Sequence, residues 1–158
     1  GVEEFTSKCV EVGVDGLIIV DLQPEEDDDL FLKTKENNID LIRLITPTTD
    51  EERLKTILNN ASGFLYYVTI TGITGQNSAN LKELESSINL IRSESNLPIV
   101  AGFGIKSRKD VENISTFTDG VVVGSSIVNI IKDNISNKKS MLEKIDLFTK
   151  DLKKGTVS

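Results

Sequence analysis

The sequence predicts an α/β fold in which parallel strands alternate with helices. Three observations carry that prediction. Short continuous apolar runs recur along the chain, as at residues 16–21 and 120–124, and runs of that kind mark strands buried on both faces. Each run is followed by a polar segment with helical periodicity, which is the pattern of repeated βα units. There is also a weak internal repeat: Val14, Asp15 and Gly16 lead into the first run as Thr118, Asp119 and Gly120 lead into the last.

The elements follow in order. Residues 2–12 read as an amphipathic helix and residues 16–21 as the first strand. A helix over 25–37 has Asp and Glu crowded into its first turn, where the helix dipole favours them. Residues 39–46 form the next strand, Pro47 ends it, and Thr49 or Asp50 caps a helix to residue 60. The third strand, residues 63–70, is rich in aromatic and β-branched side chains. A Gly/Thr/Asn loop at 71–78 leads to a helix over 80–95, then to a fourth strand at 98–102. Ser107 caps a helix to residue 117, residues 120–124 are the fifth strand, and Ser125 opens a helix to residue 134. A last helix covers 139–153. No linker or low-complexity segment interrupts the series, so residues 1–158 read as one structural unit.

Totals bound the possibilities. The 158 residues suffice for one core but fall short of a complete (β/α)8 barrel, which takes about 250. A chain that opens on Gly1 and passes at once into a helix reads as a piece of a longer protein. A net charge of −7 argues against nucleic acid as a partner, yet leaves room for a small phosphate held by backbone N–H groups. No apolar stretch approaches the length of a membrane span, and no membrane partner is expected. With no histidine, a His base, a Ser–His triad and the commonest metal ligand are all excluded. The single Cys9, set among Phe5, Val10 and Val12, reads as a buried apolar thiol in a reducing, cytoplasmic setting.

Chemistry concentrates where strands end. Gly102, Phe103 and Gly104 follow the fourth strand, and Gly124 and Ser125 follow the fifth. Glycine lets the backbone approach a phosphate, helix N-termini aim N–H groups at it, and Ser125 adds a hydroxyl. Thr71, Gly72, Thr74 and Gly75 give the third strand's loop the composition of a lid. Strand alternation sends one of Tyr66 and Tyr67 to each face of the sheet. Asp21 ends the first strand, either as a ligand group or as a helix N-terminal residue. The run 25–29 reads as a solvated helix start. Two architectures fit: a barrel built of repeated βα units, or an open doubly wound sheet. The latter lacks the glycine fingerprint of a dinucleotide site after its first strand.

Residues 13–26 (GVDGLIIVDLQPEE), 66–77 (YYVTITGITGQN), 102–105 (GFGI) and 124–125 (GS) together resemble the alpha subunit of tryptophan synthase, in its order and spacing, over nearly the whole chain. The resemblance implies strands 4 to 8 of a (β/α)8 barrel, with the N-terminal strands missing. It implies a lyase that cleaves indole-3-glycerol phosphate to indole and glyceraldehyde 3-phosphate in tryptophan biosynthesis. It implies no cofactor in this chain, pyridoxal phosphate belonging to a partner beta subunit. By the same resemblance Gly75, Gly102, Phe103, Gly104, Gly124 and Ser125 surround the substrate phosphate. Tyr66 faces the substrate, and Thr71, Gly72 and Thr74 lie in the lid. The family's catalytic Glu and Asp fall upstream, so no catalytic residue is expected within this chain, and alone it is expected to be inactive. An arc of five strands exposes two sheet edges, so the isolated chain is expected to be marginal or self-associating. Gln23 stands where the family usually has proline, near the face toward the beta subunit. Other phosphate-binding barrels, such as a ribulose-phosphate epimerase or an indole-glycerol-phosphate synthase, usually place His or Lys at these strand ends. A non-catalytic half-barrel that binds phosphate or the beta subunit is the remaining alternative.

Overall fold

In the computed structural model, which describes residues 1–69, 78–102 and 104–156, five strands form one parallel sheet in the order β1-β2-β3-β4-β5. They are β1 (Gly16–Ile18), β2 (Asp40–Ile45), β3 (Leu65–Val68), β4 (Ile99–Gly102) and β5 (Gly120–Val122). Helices α1 (Val2–Glu11), α2 (Asp28–Glu36), α3 (Glu51–Asn59), α4 (Ser78–Glu94), α5 (Arg108–Ser115), α6 (Ser125–Asp133) and α7 (Lys138–Lys153) alternate with them. A 3-10 turn, Pro24–Glu26, precedes α2.

Every predicted element is present, and the differences lie at its ends. The first strand stops at Ile18 rather than at residue 21, because β1 is an edge strand whose only pairing, with Gly16 against Asp40 through Ile18 against Ile42, ends there. The helix expected from residue 25 begins as the 3-10 turn and becomes α-helical at Asp28. Of the two candidate caps for α3, Asp50 serves: its Oδ1 accepts the Arg53 N–H at 2.8 Å. Cys9 is buried as expected, although Phe5, Val10 and Val12, the apolar neighbours in sequence that suggested it, are exposed. No helix among the described residues is long and apolar enough to cross a membrane.

The register sorts the strand side chains onto two faces. Ile45, Leu65, Tyr67, Ile99 and Ala101 share one face and pack with Leu54, Leu84, Ile88, Val111, Ile114 and Leu152 of α3, α4, α5 and α7 in one contiguous core. Leu65, Ile99 and Ala101 are wholly excluded from solvent. The other face carries Ile18, Leu44, Tyr66, Val68, Val100 and Val122 and has no part in that core. Ile18 at 46 % and Val122 at 36 % are open to solvent.

That one-sidedness decides between the two architectures. A doubly wound sheet has helices on both faces and a reversal of strand order. Here the core helices lie on one face, and each strand pairs only with its neighbours in sequence. The sheet is an arc of a (β/α)8 barrel, its helices outside and its apolar concave face inside.

A buried polar cluster ties β1's connection to this arc. Arg43, midway along β2 on the helix-facing side, pairs with Asp27, the residue just before α2, and both are almost fully buried. Asn60 at the end of α3 donates to the Asp27 carboxylate at 3.0 Å. A second ion pair, Arg53 with Glu25, holds the same segment from outside. The sequence alone did not reveal the cluster, although one signal was there: Arg43 is the only charge within the otherwise apolar run 41–45.

Candidate functional site

All five strands are parallel, so their carboxyl ends lie on one rim, which is where (β/α)8 barrels gather reactive groups. On this rim the two glycine turns are built differently.

After β4, the chain passes Gly104, which has φ +79° and so occupies the left-handed region that glycine enters freely. Among the described residues, a Cβ at Gly104 would meet no atom within 4 Å. The helix that follows, α5, is capped from within. Ser107 Oγ accepts the Asp110 N–H at 3.2 Å, and the Asp110 carboxylate accepts the N–H groups of Lys106 and Ser107 at 3.0 and 2.9 Å. The carboxylate therefore occupies the position an anion would take. The start of α5 is thus occupied by its own capping box, where the sequence alone suggested a turn opening toward a phosphate.

After β5, α6 starts at once. Its N-cap is Gly124, which has no side chain to cap the helix, and among the described residues a Cβ there would meet nothing within 4 Å. The first turn of any helix leaves N–H groups without intrahelical acceptors, and the dipole makes that end positive. Ser125 is exposed at this terminus, while Ser126 donates its hydroxyl to the Ile105 carbonyl at 3.2 Å. That bond fastens the start of α6 to the loop after β4. Two neighbouring strand ends thus present an open backbone turn and an uncapped helix terminus.

Gly102 has another task. A Cβ built on it would stand 2.1 Å from the Tyr66 hydroxyl oxygen and 3.0 Å from Val122 Cβ. Glycine here lets the Tyr66 ring lie across the concave face, with its hydroxyl against β4. Burial pushes the Tyr66 phenol above its ordinary value, so it stays protonated and can donate a hydrogen bond at neutral pH. Tyr67 points the opposite way into the helix-facing core, where burial also pushes its phenol up, with Ser87 beside it. The alternation of the two tyrosines is as the sequence predicted, and Tyr66 is the inward one.

Thr69 closes the strand end by donating its N–H and hydroxyl to the Gly102 carbonyl at 2.9 and 3.0 Å. Thr71, Gly72, Thr74, Gly75 and Phe103 lie outside the described residues. Asp21 is exposed in the turn beyond β1, and the Asp and Glu side chains at 25, 26, 28 and 29 are exposed as a solvated helix start, unlike Asp27. On the concave face the strands bear one ionisable carboxylate, Asp40, at the amino end of β2 and away from the rim.

A parallel arc with an apolar concave face, outer helices and glycine turns at the carboxyl rim defines a (β/α)8-barrel protein. The particular barrel follows from comparison. The family model for the tryptophan synthase alpha chain matches residues 1–157, and the chain belongs to that family. It is 42 % identical over 153 residues to the tryptophan synthase alpha chain of Petrotoga mobilis, a match that takes in 97 % of this chain and 59 % of the relative. Tryptophan synthase subunit alpha from Campylobacter jejuni superposes with a TM-score of 0.84 at 38 % identity, over 94 % of this chain and 59 % of that one. A structure of Mycobacterium tuberculosis tryptophan synthase gives 0.83 at 28 %, over 99 % and 57 %. The chain spans rather less than three-fifths of the length of these relatives.

Proposed function

We propose that the chain forms the phosphate-binding part of a lyase that cleaves indole-3-glycerol phosphate to indole and glyceraldehyde 3-phosphate, in the cytoplasm and with no cofactor of its own. The observation that carries this is the uncapped α6 terminus at Gly124, next to the open Gly104 turn and on the same rim as Tyr66. A phosphate dianion seated there would meet N–H groups of α6, the Ser125 hydroxyl and the backbone beside Gly104. Its binding energy would fix the rest of the substrate along the concave face, under the Tyr66 ring. Carbon–carbon cleavage of this retro-aldol type needs one group to donate a proton and another to accept one. Asp40 is at the wrong end of its strand for either role, and the family resemblance places those carboxylates upstream of this chain. The partner that takes up indole would be a pyridoxal-phosphate-dependent beta subunit. The segment around Gln23 and Pro24 lies on the rim that would face it.

Inorganic phosphate titrated into the 158-residue chain by calorimetry tests the site. Binding should be lost in Gly124→Glu, whose carboxylate would occupy the α6 terminus, and weakened severalfold in Ser125→Ala. The same protein should form no indole from indole-3-glycerol phosphate. Phosphate binding indifferent to Gly124→Glu would refute the site, and turnover by the chain alone would refute the placement of its catalytic carboxylates.

A further inference from the structure

We infer that Ser126 is a positioning residue of the rim: its hydroxyl sets the separation of the two glycine turns, so that one phosphate group meets both at once. The inference deepens the phosphate-site reading and rests on it.

The first observation is where the sheet stops holding the rim together. The last pair between β4 and β5 is Gly102 against Val122. Gly104 and Gly124 each lie two residues past that pair, beyond the reach of the ladder. Another bond has to fix how far apart the two turns stand. The N–H groups of both turns serve one anion only if each lies at hydrogen-bond distance, and a displacement of about 1 Å takes one of them out of range.

The second observation is how the two adjacent serines of α6 divide the work. Successive residues point about 100° apart around a helix axis, so Ser125 and Ser126 address different surroundings. Ser125 is exposed at the terminus, whereas Ser126 is half-buried and donates its hydroxyl to the Ile105 carbonyl at 3.2 Å. Among the described residues this is the one hydrogen bond between α6 and the loop after β4.

The acceptor of that bond is itself immobilised. Ile105 is 2 % exposed, its side chain seated in the core cluster. The Asp110 carboxylate holds the next two residues, accepting the N–H groups of Lys106 and Ser107 and also the Ser107 hydroxyl at 2.8 Å. The Ile105 carbonyl is therefore a fixed point one residue from the Gly104 turn. Ser126 ties the start of α6 to it.

The experiment uses the full-length protein that carries this sequence, with inorganic phosphate as the probe, calorimetry for affinity and urea unfolding for stability. Ser126→Ala should weaken phosphate binding roughly three- to tenfold, the span expected of one lost hydrogen bond. Ser126→Thr, which keeps the hydroxyl, should stay within about twofold of the unsubstituted protein. A merely structural role would lower the urea midpoint and leave the affinity of the folded molecules unchanged. Amide spectra provide a second reading: saturating phosphate should shift the Gly104 and Ser125 N–H signals together, and the Gly104 shift should shrink in Ser126→Ala. Unchanged affinity in Ser126→Ala, Ser126→Thr as weak as Ser126→Ala, or an undiminished Gly104 shift would each overturn the inference. Gly124→Glu separates this inference from the reading beneath it. Loss of binding there, with Ser126→Ala silent, removes the positioning role alone, whereas binding indifferent to Gly124→Glu removes the phosphate site and the positioning role together.

Discussion

At the scale of single residues, three rim glycines that look alike in sequence do different work. Gly102 makes room for the Tyr66 hydroxyl, Gly104 supplies a left-handed turn, and Gly124 leaves a helix end uncovered. Gly102→Ala should destabilise the chain by about 1–3 kcal/mol, the usual range for overpacking, since its methyl would meet Tyr66. Partial recovery by Tyr66→Phe in the same chain, measured by urea unfolding, would show that the hydroxyl is the larger obstacle, the ring Cζ at 2.7 Å remaining. The resemblance placed all three glycines around a phosphate; that Gly102 also makes room for Tyr66 depends on which atoms stand opposite it in the fold. Arg43 presents the reverse case. Its charge was visible in the apolar run, but its partners Asp27 and Asn60 come from two other elements and share no short-range pattern with it. Arg43→Leu should cost about 3–5 kcal/mol by leaving the Asp27 carboxylate buried without its counter-charge, Asn60 alone still donating to it. Adding Asp27→Leu should recover much of that loss in the same unfolding measurement.

At the scale of elements, the joints between units are held by polar groups. Asp119, just ahead of β5, accepts the Ile99 N–H at 2.8 Å and an Arg92 N–H at 3.0 Å, linking α4, β4 and β5. Burial alone would raise this carboxyl, but the Ile99 N–H and the Arg92 guanidinium together outweigh burial and hold it below the ordinary carboxylate value. Its folded form thus binds a proton less readily than its unfolded form. The stability it provides is complete above the unfolded value of about 3.9 and is lost as pH falls through the lower folded value. Asp119→Asn should therefore lower the urea midpoint at pH 7 and flatten the acid limb of the stability curve. The effect should be modest, because the pair is partly open to solvent. Element type was legible throughout because periodicity reports which face is buried, and the Ser107 cap could be read from its residue type alone. Element ends were less so: β1 stops early because pairing, not composition, sets where an edge strand ends.

At the scale of the whole molecule, burial falls from the middle of the arc to its borders. β3 and β4 are paired on both sides and packed under α3, α4 and α5, whereas β1 and β5 are each paired once. Native-state amide exchange should follow that gradient, slowest in Leu65–Val68 and Ile99–Gly102 and fastest in Gly16–Ile18. Uniform protection across the five strands would contradict the open-arc geometry. Class and unit count were open to the sequence, because they depend on alternation along the chain. The placing of all core helices on one face was not, because a continuous apolar strand reads the same whether a helix or a neighbouring strand's side chains cover its second side.

The sequential order of the strands also bears on how the molecule comes into being. Each strand finds its partner in the very next unit, so pairing never waits for a distant part of the polypeptide. A chain emerging from the ribosome can consolidate one unit on the last, at the small loop-closure cost of neighbouring segments. Only ring closure, at the two borders, has to bring remote segments together. Assembly of the arc and closure of the ring are thus separable in time, and the slower step belongs to the second.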